Sequence, residues 1–206
     1  MDRSSTTRHK GAMESIFHTL EGRGAIVSVA RDRVEVLRPQ DTQLAIGVRD
    51  LDGYSCLVLT GTSPKSAIIM AHISALDGEG HYMSFLRLMV SIFMKEQDLF
   101  QLPLAWGIFS HHHKDGFPLN HLAERTLRVF QHLRVKLQIS HYDLHDQVEA
   151  HSSPGRHTVV AVRHEAELPE MYIEDRLVYP SVHSGSLALE FNRLGLRQIG
   201  HEQGDD

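Results

Sequence analysis

The chain holds one cysteine, Cys56, and a histidine sixteen residues on, His72. A thiol and an imidazole are the parts of a nucleophile–base pair: the imidazole takes the thiol proton and the thiolate attacks an acyl carbon. Whether the two meet depends on the chain between them. Two apolar runs, Cys56 to Thr60 and Ala67 to Ile73, flank Gly61-Thr62-Ser63-Pro64-Lys65-Ser66. Short β-prone runs around a Gly/Ser/Pro cluster read as a hairpin with a longer loop. With Thr60 facing Ala67, Cys56 stands opposite Ala71; with Gly61 facing Ala67, it stands opposite His72. Directly opposite residues share a face, their Cβ atoms about 4.5–5.5 Å apart. One register therefore joins thiol and imidazole, and a one-residue slip parts them. A carboxylate in Asp50-Leu51-Asp52 lies just before Cys56 and is placed to orient the imidazole, as triad logic asks. The plainer reading makes Cys56 a small core hydrophobe.

The elements that must hold this pair follow from the pattern. Met13 to Leu20 suits a short helix. Ala25 to Ala30, Arg33 to Leu37 and Gln43 to Val48 read as strands before the hairpin. His81 to Leu99 carries a helical stripe of Tyr82, Phe85, Leu86, Met89, Ile92, Phe93 and Leu99, with Arg87, Lys95, Glu96 and Asp98 as its polar side. Leu104 to Phe109 suits a buried strand, Asn120 to Leu133 a second helix, and Val135 to Ile139 a half-exposed strand. The polar segment His141 to Arg156 reads as a long loop. His157 to Arg163 is a strand, Pro169 to Tyr179 supplies one or two edge strands, and Ser186 to Leu194 suits a final helix. Strands cluster early and late rather than alternating with helices, which argues for α+β. No long linker divides the 206 residues, so one domain is expected, with residues 1–10 and 198–206 as frayed ends.

Gly53-x-Ser55-Cys56, an apolar strand, a turn, a strand ending Met70-Ala71-His72-Ile73 and then a long amphipathic helix resemble the CheD family of chemoreceptor glutamine deamidases. The specific match covers roughly Ala45 to Ile73, with a looser topological match to about residue 140. The resemblance implies mixed β-sheets packed face to face with flanking helices outside, a cysteine-hydrolase fold shared with the catalytic domains of cytotoxic necrotizing factors. It implies Cys56 as nucleophile, His72 as base, and a protein substrate whose glutamine carboxamide becomes a carboxylate. Tyr54, Ser55 and His111 are then the residues expected at the substrate. The chain departs from the family pattern at Tyr54, which replaces a glycine, at Asp50, which replaces a threonine that serves the site, and at Ser74-Ala75-Leu76-Asp77, which replaces a proline-bearing segment after the histidine. Two alternatives stand beside deamidation. One is an inactive interaction module with Tyr54 filling the site, and the other is a thiol acyltransferase acting on a small molecule.

Other candidate chemistry is weaker. His111-His112-His113 invites a metal, but consecutive strand residues point to opposite faces, so three in a row do not share one ion. His141 and His145 are spaced for one helical face in a segment without a helical stripe. No Cys-x-x-Cys or His-Glu-x-x-His spacing occurs, and Gly22-Arg23-Gly24 lacks the third glycine of a nucleotide loop. No metal or other cofactor is expected. The formal charge of −5 with scattered basic residues argues against nucleic acid. Sixteen histidines would carry it to +11 if all were protonated. One cysteine excludes an intrachain disulfide, and neither a secretory h-region nor a membrane-length apolar run is present. A cytoplasmic protein without a membrane partner is the expectation; oligomeric state is left open.

Overall fold

The computed structural model describes residues 15–63, 66–74, 77–111, 119–143, 157–164 and 168–179. The expected frayed ends and the helix expected over Ser186 to Leu194 lie outside these residues, as do His112, His113 and His145. The described elements are three helices, α1 (Ile16–Gly22), α2 (Glu79–Lys95) and α3 (Leu119–His132), and ten strands. The strands are β1 (Ile26–Ser28), β2 (Arg33–Leu37), β3 (Ala45–Val48), β4 (Tyr54–Thr60), β5 (Ile68–Ser74), β6 (Leu104–His111), β7 (Lys136–Asp143), β8 (Val159–Val162), β9 (Glu170–Ile173) and β10 (Arg176–Tyr179). The class is α+β, as expected.

The strands form two five-stranded mixed sheets, in the orders β1-β3-β8-β9-β10 and β2-β5-β4-β6-β7. The first has one parallel pair, β1 with β3, and the second has one, β6 with β7; all other pairings are antiparallel. The two-residue period of a strand sorts each side chain into one of three cores. Cys56 and Val58 of β4, Ile68 and Met70 of β5, and Trp106 and Ile108 of β6 meet Ile46, Val48, Val159, Ala161, Met171 and Ile173 of the other sheet. The sheets therefore pack face to face. The alternate residues Leu57, Leu59, Ile69, Ala71 and Ile73 pack beneath Tyr82, Leu86, Met89 and Phe93 of α2 and Leu122 and Phe130 of α3. On the far side, Ala45, Val160, Val162 and Tyr172 receive Ile16, Phe17 and Leu20 of α1. Central strands apolar on both faces are what a sheet covered on both sides requires. Each fully buried Leu, Ile or Phe in these layers contributes about 1.5–3 kcal/mol.

Element boundaries differ from the pattern in ways that packing explains. The long helix starts two residues earlier, at Glu79, after Gly78 with φ +89°, and it stops at Lys95. A separate 3-10 turn, Gln97–Leu99, follows. Beside that break Arg38 grips Glu96 with two hydrogen bonds, Nε to Oε2 at 2.9 Å and Nη2 to Oε1 at 2.6 Å. Strand β7 runs on to Asp143, past the Ile139 end that the sequence suggests. It stays paired with β6 from Leu104 opposite Lys136 to His111 opposite Asp143. A polar stretch is held as a strand there because Tyr142 is buried, only 3% exposed.

Candidate active site between the sheets

The hairpin closes in the register that joins the pair. Cys56 stands directly opposite His72 between β4 and β5. The same row continues to Arg33 on β2 and Ile108 on β6. Cys56 and His72 turn toward the facing sheet and are 0% and 1% exposed. The His72 ring has one anchored nitrogen. Nδ1 lies 3.3 Å from the Val29 carbonyl oxygen. A carbonyl only accepts, so Nδ1 carries the proton and donates, and Nε2 holds the lone pair. Nε2 is buried and has no hydrogen-bond partner among the described residues, Cys56 included. A buried, unpaired polar atom is uncommon enough to call for a reason, and a base waiting for its proton donor is one such reason.

Burial sets the resting electrostatics. It pushes the Cys56 thiol well above its ordinary pKa, because a thiolate would lose its hydration. It also pulls the His72 imidazole below its ordinary value. The Val29 hydrogen bond works against that shift, as do the negative charges of Asp32 and Asp50, while Arg31 reinforces it. At rest the pair is therefore a neutral thiol and a neutral imidazole.

The other expected site residues fall in different places. Asp50 is not brought to the imidazole. It sits in the loop between β3 and β4 with φ +56°, its side chain 67% exposed and 3.8 Å from Arg49 Nε. The Val29 carbonyl holds the ring position expected of Asp50, and Asp50 reaches His72 only through its charge. Ser55 alternates to the helix-facing side, opposite Ile73, where its hydroxyl is buried with no hydrogen-bond partner among the described residues. Only the Ser55 backbone adjoins the sulfur's side of the sheet. His111 ends β6, three residues beyond the Ile108 that faces Cys56, at the end of the sheet where β4 begins.

Tyr54 is the next residue of β4 on the Cys56 face, and its ring meets the His72 ring edge-on, centroids 4.9 Å apart at 65°. The Arg31 guanidinium lies over the Tyr54 ring, 5.1 Å from its centroid. Arg31 Nη2 reaches Asp52 Oδ2 at 3.9 Å, and the other oxygen of Asp52 takes His157 Nδ1 at 3.0 Å. The His157 ring then packs 5.4 Å from that of Tyr142. The Tyr142 hydroxyl accepts from Gly53 N–H at 3.0 Å and lies 2.6 Å from the Tyr54 and 3.1 Å from the Leu51 carbonyl oxygens. Gly53 takes φ +88°, a conformation that a side chain would resist, and it lets the chain turn from Leu51 into β4. The turn that presents Tyr54 is thus pinned from below by one hydroxyl.

Val29, Arg31, Tyr142 and His157 are the participants that the sequence reading missed. None has a spacing signature, because they arrive from the β1–β2 connection, from β7 and from the start of the β8 segment. Tyr142 alone left a trace, as an aromatic residue three positions past an alternating strand.

Two further polar clusters lie outside this row. Asp32, Asp77 and His81 bring one potential metal-ligand atom each within 4.8 Å of one another. His81 Nε2 already pairs with Asp32 Oδ1 at 2.9 Å, and the same oxygen accepts the Ser74 N–H at 2.9 Å. These contacts account for the group without an ion. On the face under α1, His164 Nε2 lies 3.0 Å from Glu170 Oε2, and the Tyr172 hydroxyl donates to that oxygen at 3.0 Å.

Compared with known proteins, the chain matches no family model and no curated protein. The CheD-like reading therefore stands on its own residues and on the register of one hairpin. No helix among the described residues is long and apolar enough to cross a membrane.

Proposed function

We propose that the protein is a cysteine-dependent amidohydrolase, a CheD-like deamidase acting on glutamine side chains of a protein substrate. One observation carries the reading: Cys56 and His72 face each other across the hairpin, with Nδ1 anchored and Nε2 left open. Nε2 withdraws the thiol proton as the sulfur attacks the carboxamide carbon. The N–H groups near Ser55 and Cys56 supply hydrogen bonds for the tetrahedral oxygen. The C–N bond breaks, and Nε2–H returns its proton to the departing ammonia. Water, deprotonated by the same nitrogen, then hydrolyses the thioester to a carboxylate and regenerates the thiol. Charge separation in a buried site is costly, and substrate entry must bring the pair into hydrogen-bond reach.

The test is ammonia release from glutamine-bearing proteins, with mass spectrometry locating the new carboxylate. Release that needs both Cys56 and His72 supports the reading. Iodoacetamide labelling of Cys56 gives a second measure: burial keeps it slower than a free model thiol, and His72→Ala should slow it further. Slow labelling that is indifferent to His72 would count against it. That outcome favours the second reading, a protein-interaction module on the same scaffold. The complete burial of the sulfur beneath the Tyr54 row supports that alternative.

A further inference from the structure

We infer that Tyr54 and Arg31 form a two-layer cover over the Cys56–His72 pair, with Arg31 as an electrostatic latch that keeps the thiol closed until it is drawn away. The inference rests on the amidohydrolase reading for its purpose, although not for its geometry. The inner layer is the Tyr54 ring, set edge-on to the imidazole at 4.9 Å. The outer layer is the Arg31 guanidinium, seated 5.1 Å from the centre of that ring and 3.9 Å from Asp52 Oδ2. The inner pair is sealed, while the outer pair is open to solvent: the side chains of Arg31 and Asp52 are 53% and 57% exposed.

Position on the sheet makes this a cover rather than a core contact. Tyr54 is the first residue of β4, opposite Ser74, the last of β5. Continuing the β4–β6 register by two residues sets Tyr54 beside Ser110, which faces Tyr142 on β7. The row beyond the thiol is therefore one large ring between small hydroxyl residues at the end of the sheet. With the ring swung out, the place it leaves is flanked by Ser74 and by Ser110, whose side chain hydrogen-bonds the Tyr142 hydroxyl, so its walls are polar and suit a carboxamide better than an apolar group. The backbone beneath is not free to follow, because the Tyr142 hydroxyl holds Gly53 and Tyr54. Opening is a side-chain movement of Tyr54 that requires Arg31 to leave its face.

A half-exposed ion pair and a surface cation–π contact are both weak and are weakened by salt. A group that outcompetes Asp52 for the guanidinium, such as a carboxylate beside the target carboxamide, would open the cover as it docks. The latch thus favours glutamine in an acidic segment.

Iodoacetamide labelling of Cys56 in the full chain tests this, with urea midpoints measured in parallel to exclude unfolding. Arg31→Ala should speed labelling about two- to fivefold, the equivalent of one exposed cation–π contact. Tyr54→Ala should speed it by roughly tenfold or more, since it removes the inner layer. Raising salt should speed labelling of the wild type and leave Arg31→Ala unaffected. Wild-type rates in both variants, with a salt response that survives loss of Arg31, would overturn the cover. His72→Ala in the Tyr54→Ala background separates the two claims. Fast labelling that ignores His72 upholds the cover and sinks the nucleophile–base pair; fast labelling that needs His72 upholds both.

Discussion

Tyr142→Phe removes one oxygen atom from a buried position and leaves the ring in place. That oxygen accepts from Gly53 N–H at 3.0 Å and donates to the Tyr54 carbonyl at 2.6 Å, with the Leu51 carbonyl at 3.1 Å as its alternative. The Ser110 side chain also hydrogen-bonds this oxygen, and since the Tyr142 hydroxyl has one proton to give, three hydrogen bonds are lost, not four. Each contributes about 1 kcal/mol net, and stranding a buried N–H adds about 1–3 kcal/mol. The Tyr54 N–H to Leu51 carbonyl bond within the turn survives and limits the damage. The expected loss is about 3–5 kcal/mol, or roughly 6–20 °C in Tm for a chain of this size. Urea unfolding followed by tryptophan fluorescence measures it, because Trp106 is the only tryptophan and lies in the core between the sheets. The same variant should label faster at Cys56, since the turn carries Tyr54. A loss below about 0.5 kcal/mol, with unchanged m and unchanged labelling, would refute the claim that this hydroxyl pins the turn.

Three other outcomes follow from named contacts. Burial holds the folded His72 pKa below 6.5, so the unfolded chain takes up a proton first as pH falls. Stability from this group is complete above about pH 6.5 and declines as pH falls toward the lower folded value; His72→Gln should flatten the urea midpoint between pH 7.5 and 5.5 relative to wild type. An identical slope in the variant would remove His72 as the source. Gly47→Ala should cost about 1–3 kcal/mol by urea titration, because a Cβ would lie 2.9 Å from the Val159 carbonyl oxygen and 3.1 Å from the Phe17 ring. Arg38→Ala breaks a partly exposed two-point grip on Glu96 and should cost about 0.5–1 kcal/mol, less in high salt; a salt-independent loss would point to packing instead.

The hairpin was legible in the sequence because its loop and its two apolar runs leave few registers, and one of these pairs Cys56 with His72. The α+β class was legible because strands cluster early and late instead of alternating with helices, whereas the face-to-face layering came only as an implication of the resemblance. Asp50 shows where such reading ends. Its place before the nucleophile suggested an orienting carboxylate, yet a loop residue with positive φ points where its backbone sends it. The group that orients the imidazole is a backbone carbonyl, Val29, which no residue type announces. Ser55 offers the Cys56 face only its backbone, since adjacent strand residues face opposite ways and its side chain turns to the helices. Arg31 and His157 were invisible for a different reason. Their association depends on how the connections between strands cross the end of the sheets, and local periodicity carries no record of that.

The sheet order has a consequence for how the chain assembles. The sheet that holds Cys56 is built from residues 33–143, with its central hairpin closing locally. The facing sheet is stitched from opposite ends of the sequence: β3 at residues 45–48 must wait for β8 at residues 159–162. Pairings across such sequence separations form slowly, because a long loop must close before any contact rewards it. During synthesis, the inner face of the first sheet is therefore complete while its lid of β8 and β9 is still unmade. Cys56 lies on that face, which makes its thiol a built-in clock. Pulsed alkylation of refolding or nascent chains should find it reactive after the hairpin has closed and silent once the second sheet has zipped over it.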